Sequence, residues 1–188
     1  MSSDSPTRPP APAHPRPLAE RMAASLRAEF GPDEPPPAAA HPKVQRIVRL
    51  WQSLRPGPGL LPGRRHFDPL QAPDLLNNIW LMEVVDEDPR RYRLRLVGGA
   101  LVEAGTGIRK GQFFGDVGSR EEAASAAQVF RHLERCRRIN WRRGPSALGY
   151  MEHVRELERV ILPMAADGVT VDIFMCLTVF YYADGREV

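Results

Sequence analysis

The chain has 188 residues and a formal net charge of +3, enough for one domain of ordinary size plus an extension. Its basic clusters (Arg64-Arg65, Arg90 to Arg95, Arg135 to Arg138, Arg142-Arg143) alternate with acids and apolar residues. They supply neither the localised basic face nor the reading element that nucleic-acid binding requires. No apolar run reaches the roughly 20 residues of a membrane span, and the N-terminus lacks the core of a secretory signal, so a cytoplasmic protein is expected.

Residues 1–43 hold 11 of the 19 prolines. Each fixes φ, removes a donor and disfavours helix in the residue before it, so the segment is expected to be largely disordered or extended. One island interrupts it. Leu18, Met22, Leu26 and Phe30 recur every four residues, which predicts a short helix over 18–30. It reads either as a transient helix of a tail or as a docking helix.

From Val44 the pattern changes. Val44, Ile47, Val48, Trp51 and Leu54 predict an amphipathic helix over 44–54, closed by Arg55-Pro56-Gly57-Pro58-Gly59. A loop and a short helical turn at 73–77 follow. Ile79 to Val85 reads as a strand apolar on nearly both faces, and Asp86 to Pro89 as a turn. Arg91 to Gly98 alternates Tyr92, Leu94 and Leu96 with Arg91, Arg93 and Arg95, so 79–98 is most simply a hairpin. Short helical pieces come next, and then Ser119-x-x-Glu122, a capping box, opens a helix to about Arg138. Its expected buried stripe is Ala123, Ala126, Ala127, Phe130, Leu133 and the stem of Arg137. Strands are predicted at 139–143 and 154–163, and Asp167-Gly168 turns the chain. Val171 to Tyr182 (VDIFMCLTVFYY) is apolar at every position but Asp172 and Thr178. Both parities are apolar, so it reads as a strand covered on both faces, at the centre of a sheet.

Six short motifs occur in order. They are Trp51-x-Ser53-Leu54-Arg55, Phe67-Asp68-Pro69-Leu70, Arg95-Leu96-Val97-Gly98, Gly111-x-Phe113, Glu158-Arg159-x-x-Leu162-Pro163 and Asp167-Gly168-x-x-Val171-Asp172. On these residues, from about 44 to 182, the chain resembles the single-domain bacterial PAS family (PAS_5-like), common in alphaproteobacteria. Gly99 stands where that family more often has Thr or Ser, and the Pro-rich extension lies outside the match. The resemblance implies an α+β fold, a PAS-like five-stranded antiparallel sheet of order 2-1-5-4-3. A helical connector and an N-terminal flanking helix, here 44–54, complete it, and 183–188 remain as a tail. It implies a stand-alone sensory or signalling module that binds a small ligand, a protein partner or both, and no reaction. No kinase, cyclase or DNA-binding segment accompanies the domain, so its signal is expected to reach a signalling protein in trans. A structural homodimer, or an enzyme using the same pocket, is the alternative.

The five histidines (His14, His41, His66, His132, His153) show no HxxE, HExxH or Cys-paired spacing, and no GxGxxG or GxSxG occurs. Cys136 and Cys176 read as free thiols, and no metal site is expected. His132 precedes the third strand, a position from which the resemblance allows haem ligation, but a surface or satisfied core histidine is the plainer reading. Flavin photochemistry would need a cysteine earlier than Cys136. The sequence therefore requires no cofactor, with haem and flavin both disfavoured. Pocket candidates are Met82 or Trp80, Tyr92, Leu94, Arg95, Phe113, Phe130, Glu158, Ile161, Met175 and Leu177, with Arg95 and Glu158 as the polar groups or as a mere pair across the sheet. The same side chains could instead fill a solid core, leaving no space for the small apolar ligand. Candidates for an interface, including a homodimer, are Val44, Ile47, Val48, Trp51, Phe174, Phe180 and Tyr182.

Overall fold

A computed structural model describes residues 26–86, 91–117, 119–145 and 153–187. Its scaffold is one antiparallel sheet of six strands: β1 (Leu26–Phe30), β2 (Ile79–Val84), β3 (Tyr92–Val97), β4 (Ile139–Gly144), β5 (Val154–Met164) and β6 (Ile173–Tyr182). Their order is β1-β4-β5-β6-β2-β3. Among the described residues three α-helices accompany the sheet: α1 (Pro42–Ser53), α2 (Gly99–Glu103) and α3 (Arg120–Cys136).

The apolar segment at the end of the chain lies at the sheet's centre. β6 pairs with β5 along its whole length and with β2 over Ile173 to Leu177. Phe174 to Leu177 are all fully buried. Two-sided burial is what uninterrupted apolarity demands of a strand, since neither face can be left to water.

The expected five-stranded sheet is corrected in count and order by β1. Leu26 to Phe30 pair with Arg143 to Ile139, so these residues form an edge strand and not the end of a helix over 18–30. A four-residue apolar recurrence places Leu26 and Phe30 on one side of a helix, but it is an even spacing too and serves a strand equally. Phe30 is buried, whereas Leu26 is 60% exposed. Pairing with β4 satisfies a row of backbone groups that an isolated short helix could satisfy only at a nucleation cost. Residues 18–25 of the predicted helix lie outside the described residues. Residues 26–30, expected in the extension, thus form a strand of the sheet.

α1 begins with Pro42 in its first turn, where no amide is needed, and His41 Nδ1 accepts from Lys43 N at 3.2 Å. Its stripe of Val44, Ile47, Val48 and Trp51 is completely buried. The Trp51 indole donates to the Pro163 carbonyl at 3.0 Å, fixing α1 to one face of the sheet. The other face is roofed by α2, α3 and the 3-10 turn at Phe114–Asp116. α3 stops where Arg137 takes a φ of 52° and turns the chain into β4. The side chain of Glu122, the far half of the expected capping box, is outside the described residues.

Gly98 joins β3 to α2 under the chain leaving the 3-10 helix at 73–78. A Cβ built there would lie 2.4 Å from the Asn77 carbonyl oxygen and 2.6 Å from that of Ile79. Both are backbone atoms, which cannot swing aside. Gly98→Ala is expected to destabilise by about 1 to 3 kcal/mol. Gly115→Ala, which meets nothing within 4 Å, should change stability by less than about 0.5 kcal/mol. Urea midpoints of the two variants beside the parent check this, and equal midpoints would contradict the packing described.

Candidate functional site

Parity along β5 and β6 decides what each face of the sheet offers. Directly paired residues share a face, so Leu157 with Phe180, Arg159 with Thr178 and Ile161 with Cys176 point to one side. Glu158 with Val179 and Val160 with Leu177 point to the other, the side of α1.

On the first side, under α3, lies a cavity of about 110 Å³. That volume holds a few waters or a small organic ligand. Its walls are mostly apolar: Trp80, Leu157 and Phe180 come from the sheet, Leu101 and Ile108 follow β3, and Phe114, Val117, Ala123 and Ala126 form the roof. The polar groups in the wall are Thr106, Arg142, Arg159 and Thr178.

Arg142 and Arg159 stand directly opposite on β4 and β5, and Arg27 on β1 stands opposite Arg142. Like charges in this position oppose sheet pairing. Arg142 is 4% exposed and donates to the Pro145 carbonyl. Arg159 is less well satisfied. Its Nε is buried without a partner, and its hydrogen bond to Asn140 Oδ1 is long, at 3.4 Å. Burial lowers its pKa, the sulfur of Cys176 opposes that shift, and Arg27 adds to it. No carboxylate among the described residues forms an ion pair with it.

Thr178 completes this polar edge. Its hydroxyl oxygen accepts from Trp80 Nε1 at 3.0 Å, which leaves its own hydrogen to donate. Thr106 instead turns its hydroxyl to the Leu101 carbonyl at 2.8 Å. Directly paired residues of β5 and β6 thus present two unused donors, Arg159 Nε and Thr178 Oγ1, within an apolar wall.

The opposite face carries Glu158, fully buried. Its Oε1 accepts from Trp141 Nε1 at 2.8 Å and from the backbone N–H of His41 at 2.7 Å. Arg143 approaches its other oxygen at 3.9 Å. Glu158 therefore anchors the start of α1, one residue along the chain from the cavity cation.

Of the predicted pocket residues, only Trp80, the alternative to Met82, lines this cavity. Met82, Leu94, Phe130 and Ile161 are fully buried, and Tyr92 nearly so. Tyr92, Phe130 and Phe174 form a ring cluster beside the cavity, with centroids 5.2 and 5.1 Å from Phe130. The Tyr92 hydroxyl donates to the Glu134 carboxylate, and its pKa is raised first by burial and then by that bond. Phe113 is half-buried and bridges to Arg93, while its neighbour Phe114 forms the wall. Arg95 is on the surface, 2.8 Å from Glu83. Glu158, Met175 and Leu177 face α1. Both parities of β5 and β6 are apolar enough to be inside, so alternation gave no sign of which faced which layer.

The interface candidates lie mostly inside the domain. Val44, Ile47, Val48 and Trp51 are spent within the chain, against the sheet. Phe174 and Phe180 lie on the roofed side and are buried, and Phe180 is a cavity wall. Tyr182 shares their parity and is partly exposed near the chain's end. Burial pushes the Cys176 thiol far up, so it stays protonated. Among the described residues, no helix is long and apolar enough to cross a membrane.

An antiparallel sheet with a helical roof on one face and an N-terminal helix on the other is the architecture that the sequence motifs imply. A family model described as a PAS domain matches residues 39–178. The chain belongs to the PAS family. No curated protein matches it, and no solved structure does. The matched span of this PAS domain starts just before α1 and ends at Thr178, so it contains the cavity roof and all but the last strand's end. β1 precedes it. PAS domains are in general sensory and signalling modules.

Proposed function

We propose that this PAS domain is a sensor whose cavity takes a small anionic ligand with a short apolar body, a carboxylate being the fitting class, and that it acts in trans on a protein partner in the cytoplasm and not as an enzyme. The observation that carries the reading is the pair of unused donors, Arg159 Nε and Thr178 Oγ1, set in an otherwise apolar wall. Small-molecule sites are mostly apolar with a few placed polar groups, and the half-buried Arg159, whose Nε is cut off from water, leaves its charge undercompensated until an anion arrives. A carboxylate would accept from both donors while its hydrocarbon part meets Trp80, Phe114 and Phe180.

Transmission follows from β5. Arg159 faces the cavity, and Glu158 faces the other way and holds His41 at the start of α1. An anion that draws Arg159 toward the cavity bears on the same strand that seats α1. It can shift that seating only by the difference in its affinity for the two arrangements.

Thermal unfolding with propionate and butyrate, beside their amides and inorganic phosphate, tests the reading. At a hundredfold excess over Kd a bound ligand adds about 2.7 kcal/mol, which the acids should give and the amides should not. Arg159→Met should abolish the response and stabilise the empty protein by about 1 to 3 kcal/mol, because an undercompensated charge is replaced by a hydrocarbon of similar length. Acids and amides acting alike would overturn the anion assignment. An empty variant less stable than the parent would show that Arg159 is already compensated.

A further inference from the structure

We propose that Glu29, His132 and Cys136 form a divalent-metal site of zinc type, which ties the edge strand β1 to the roof helix α3. This does not rest on the cavity reading, since these three side chains lie outside the cavity wall.

The geometry begins with α3. His132 and Cys136 are one helical turn apart and therefore share a face, the i, i+4 spacing that lets two side chains of one helix hold one ion. Glu29 comes from β1, where it pairs directly with Asn140. Its Oε2 lies 2.9 Å from His132 Nε2, and one ligand atom from each of the three residues falls within 4.8 Å of the others. The remaining carboxylate oxygen is oriented by Asn140 Nδ2 at 3.3 Å. The ligand set is thus already backed by an outer partner, as metal-binding carboxylates usually are.

The chemistry selects the ion. A thiolate, an imidazole and a carboxylate suit a borderline-soft cation, and three such ligands leave one tetrahedral position for water or a further donor. One thiolate and one carboxylate neutralise a charge of two. Binding draws each donor atom to about 2.0 to 2.3 Å from the ion. That asks for side-chain rotation alone, because Glu29 and His132 are exposed and Cys136 is only half-buried. Coordination needs the thiolate of Cys136 and a ring nitrogen of His132 that carries no proton, so loading displaces the thiol proton while the imidazole keeps its own on the other nitrogen. The site joins the strand that follows the Pro-rich segment to the helix over the cavity. Metal supply or oxidation of Cys136 would then act on the roof from the N-terminal side.

Cobalt(II) titration of the reduced full-length chain tests the site. The expected result is one equivalent bound, with tetrahedral visible bands and a thiolate-to-cobalt charge-transfer band, both erased by zinc. Cys136→Ser should remove the charge-transfer band, and Asn140→Ala should weaken binding about 10- to 100-fold as an outer partner does. His132→Ala and Glu29→Gln should each abolish the tetrahedral spectrum. As a second readout, zinc should slow alkylation of Cys136 by iodoacetamide in the parent and not in His132→Ala. A cobalt spectrum without thiolate character, or one that survives Cys136→Ser, overturns the proposal. So does zinc protection of Cys136 that persists in both His132→Ala and Glu29→Gln.

Discussion

Phe130→Ala is expected to lower the stability of the domain by about 3 to 5 kcal/mol, the range for deleting a large buried aromatic ring. Phe130 is wholly buried, at the centre of a cluster rather than at its margin. Ring centroids of Phe174, Tyr92, Phe114 and Trp80 lie 5.1, 5.2, 5.8 and 6.5 Å away, all tilted or edge-on. Each such contact is worth about 0.5 to 1.5 kcal/mol beyond the area it covers. Collapse cannot recover the loss, because Trp80 is held through its indole to Thr178 and Tyr92 through its hydroxyl to Glu134. The void would open beside the existing cavity, so larger acids should begin to bind as stability falls. Urea unfolding checks the first part: the midpoint drops while the slope stays constant. A loss under about 1 kcal/mol would mean that the ring cluster is not the structural centre of the roof.

The second large effect concerns the opposite face. Trp51→Ala is expected to cost about 3 to 5 kcal/mol by volume alone. It also leaves the Pro163 carbonyl, which accepts from the indole at 3.0 Å, without that partner in a buried place. An orphaned buried acceptor adds about 1 to 3 kcal/mol. Trp51→Phe separates the two contributions, since it keeps much of the hydrocarbon and loses only the hydrogen bond and part of the ring. The phenylalanine variant should retain more than half of the stability lost in the alanine variant. Hydrogen exchange locates the effect: amides of α1 should lose protection first, because Trp51 and the Glu158–His41 bond are what seat it. Exchange that rises equally throughout the sheet would show that α1 and the sheet unfold as one unit.

The same residues show how far the chain could be read without coordinates. β6 was legible because a short segment apolar at both parities has no stable place except between two layers. α1 was legible because four apolar residues at helical spacing follow a proline suited to a first turn. β1 was misread because a spacing of four is compatible with both a helix and a strand, and only the free edge of β4 favours the strand. The cavity residues were missed for a different reason. Thr178 reads as part of a strand covered on both faces and Arg142 and Arg159 as strand residues, but nothing local says that the three side chains meet in one cavity. The neighbouring Glu158 reads as a pocket group or a cross-sheet partner, and its actual partners, Trp141 at 17 residues and His41 at 117, turn it to the other face. His132 and Cys136 carry no metal signal in the sequence, because a single His-x₃-Cys pair is not a ligand set and the third member stands 103 residues before His132.

Local chemistry alone settled the membership of the layers: which segments are strands or helices at the domain's heart, and that the last one lies inside. Periodicity and turn residues act over a few positions, and that is the range over which hydrophobic contrast and backbone stereochemistry speak. Tertiary pairing decided everything that depends on a one-residue register, because a shift of one along a strand reverses every side chain. It set Arg159 and Thr178 facing a cavity, Glu158 facing a helix, and a glutamate from the edge strand beside the histidine and cysteine of the roof helix.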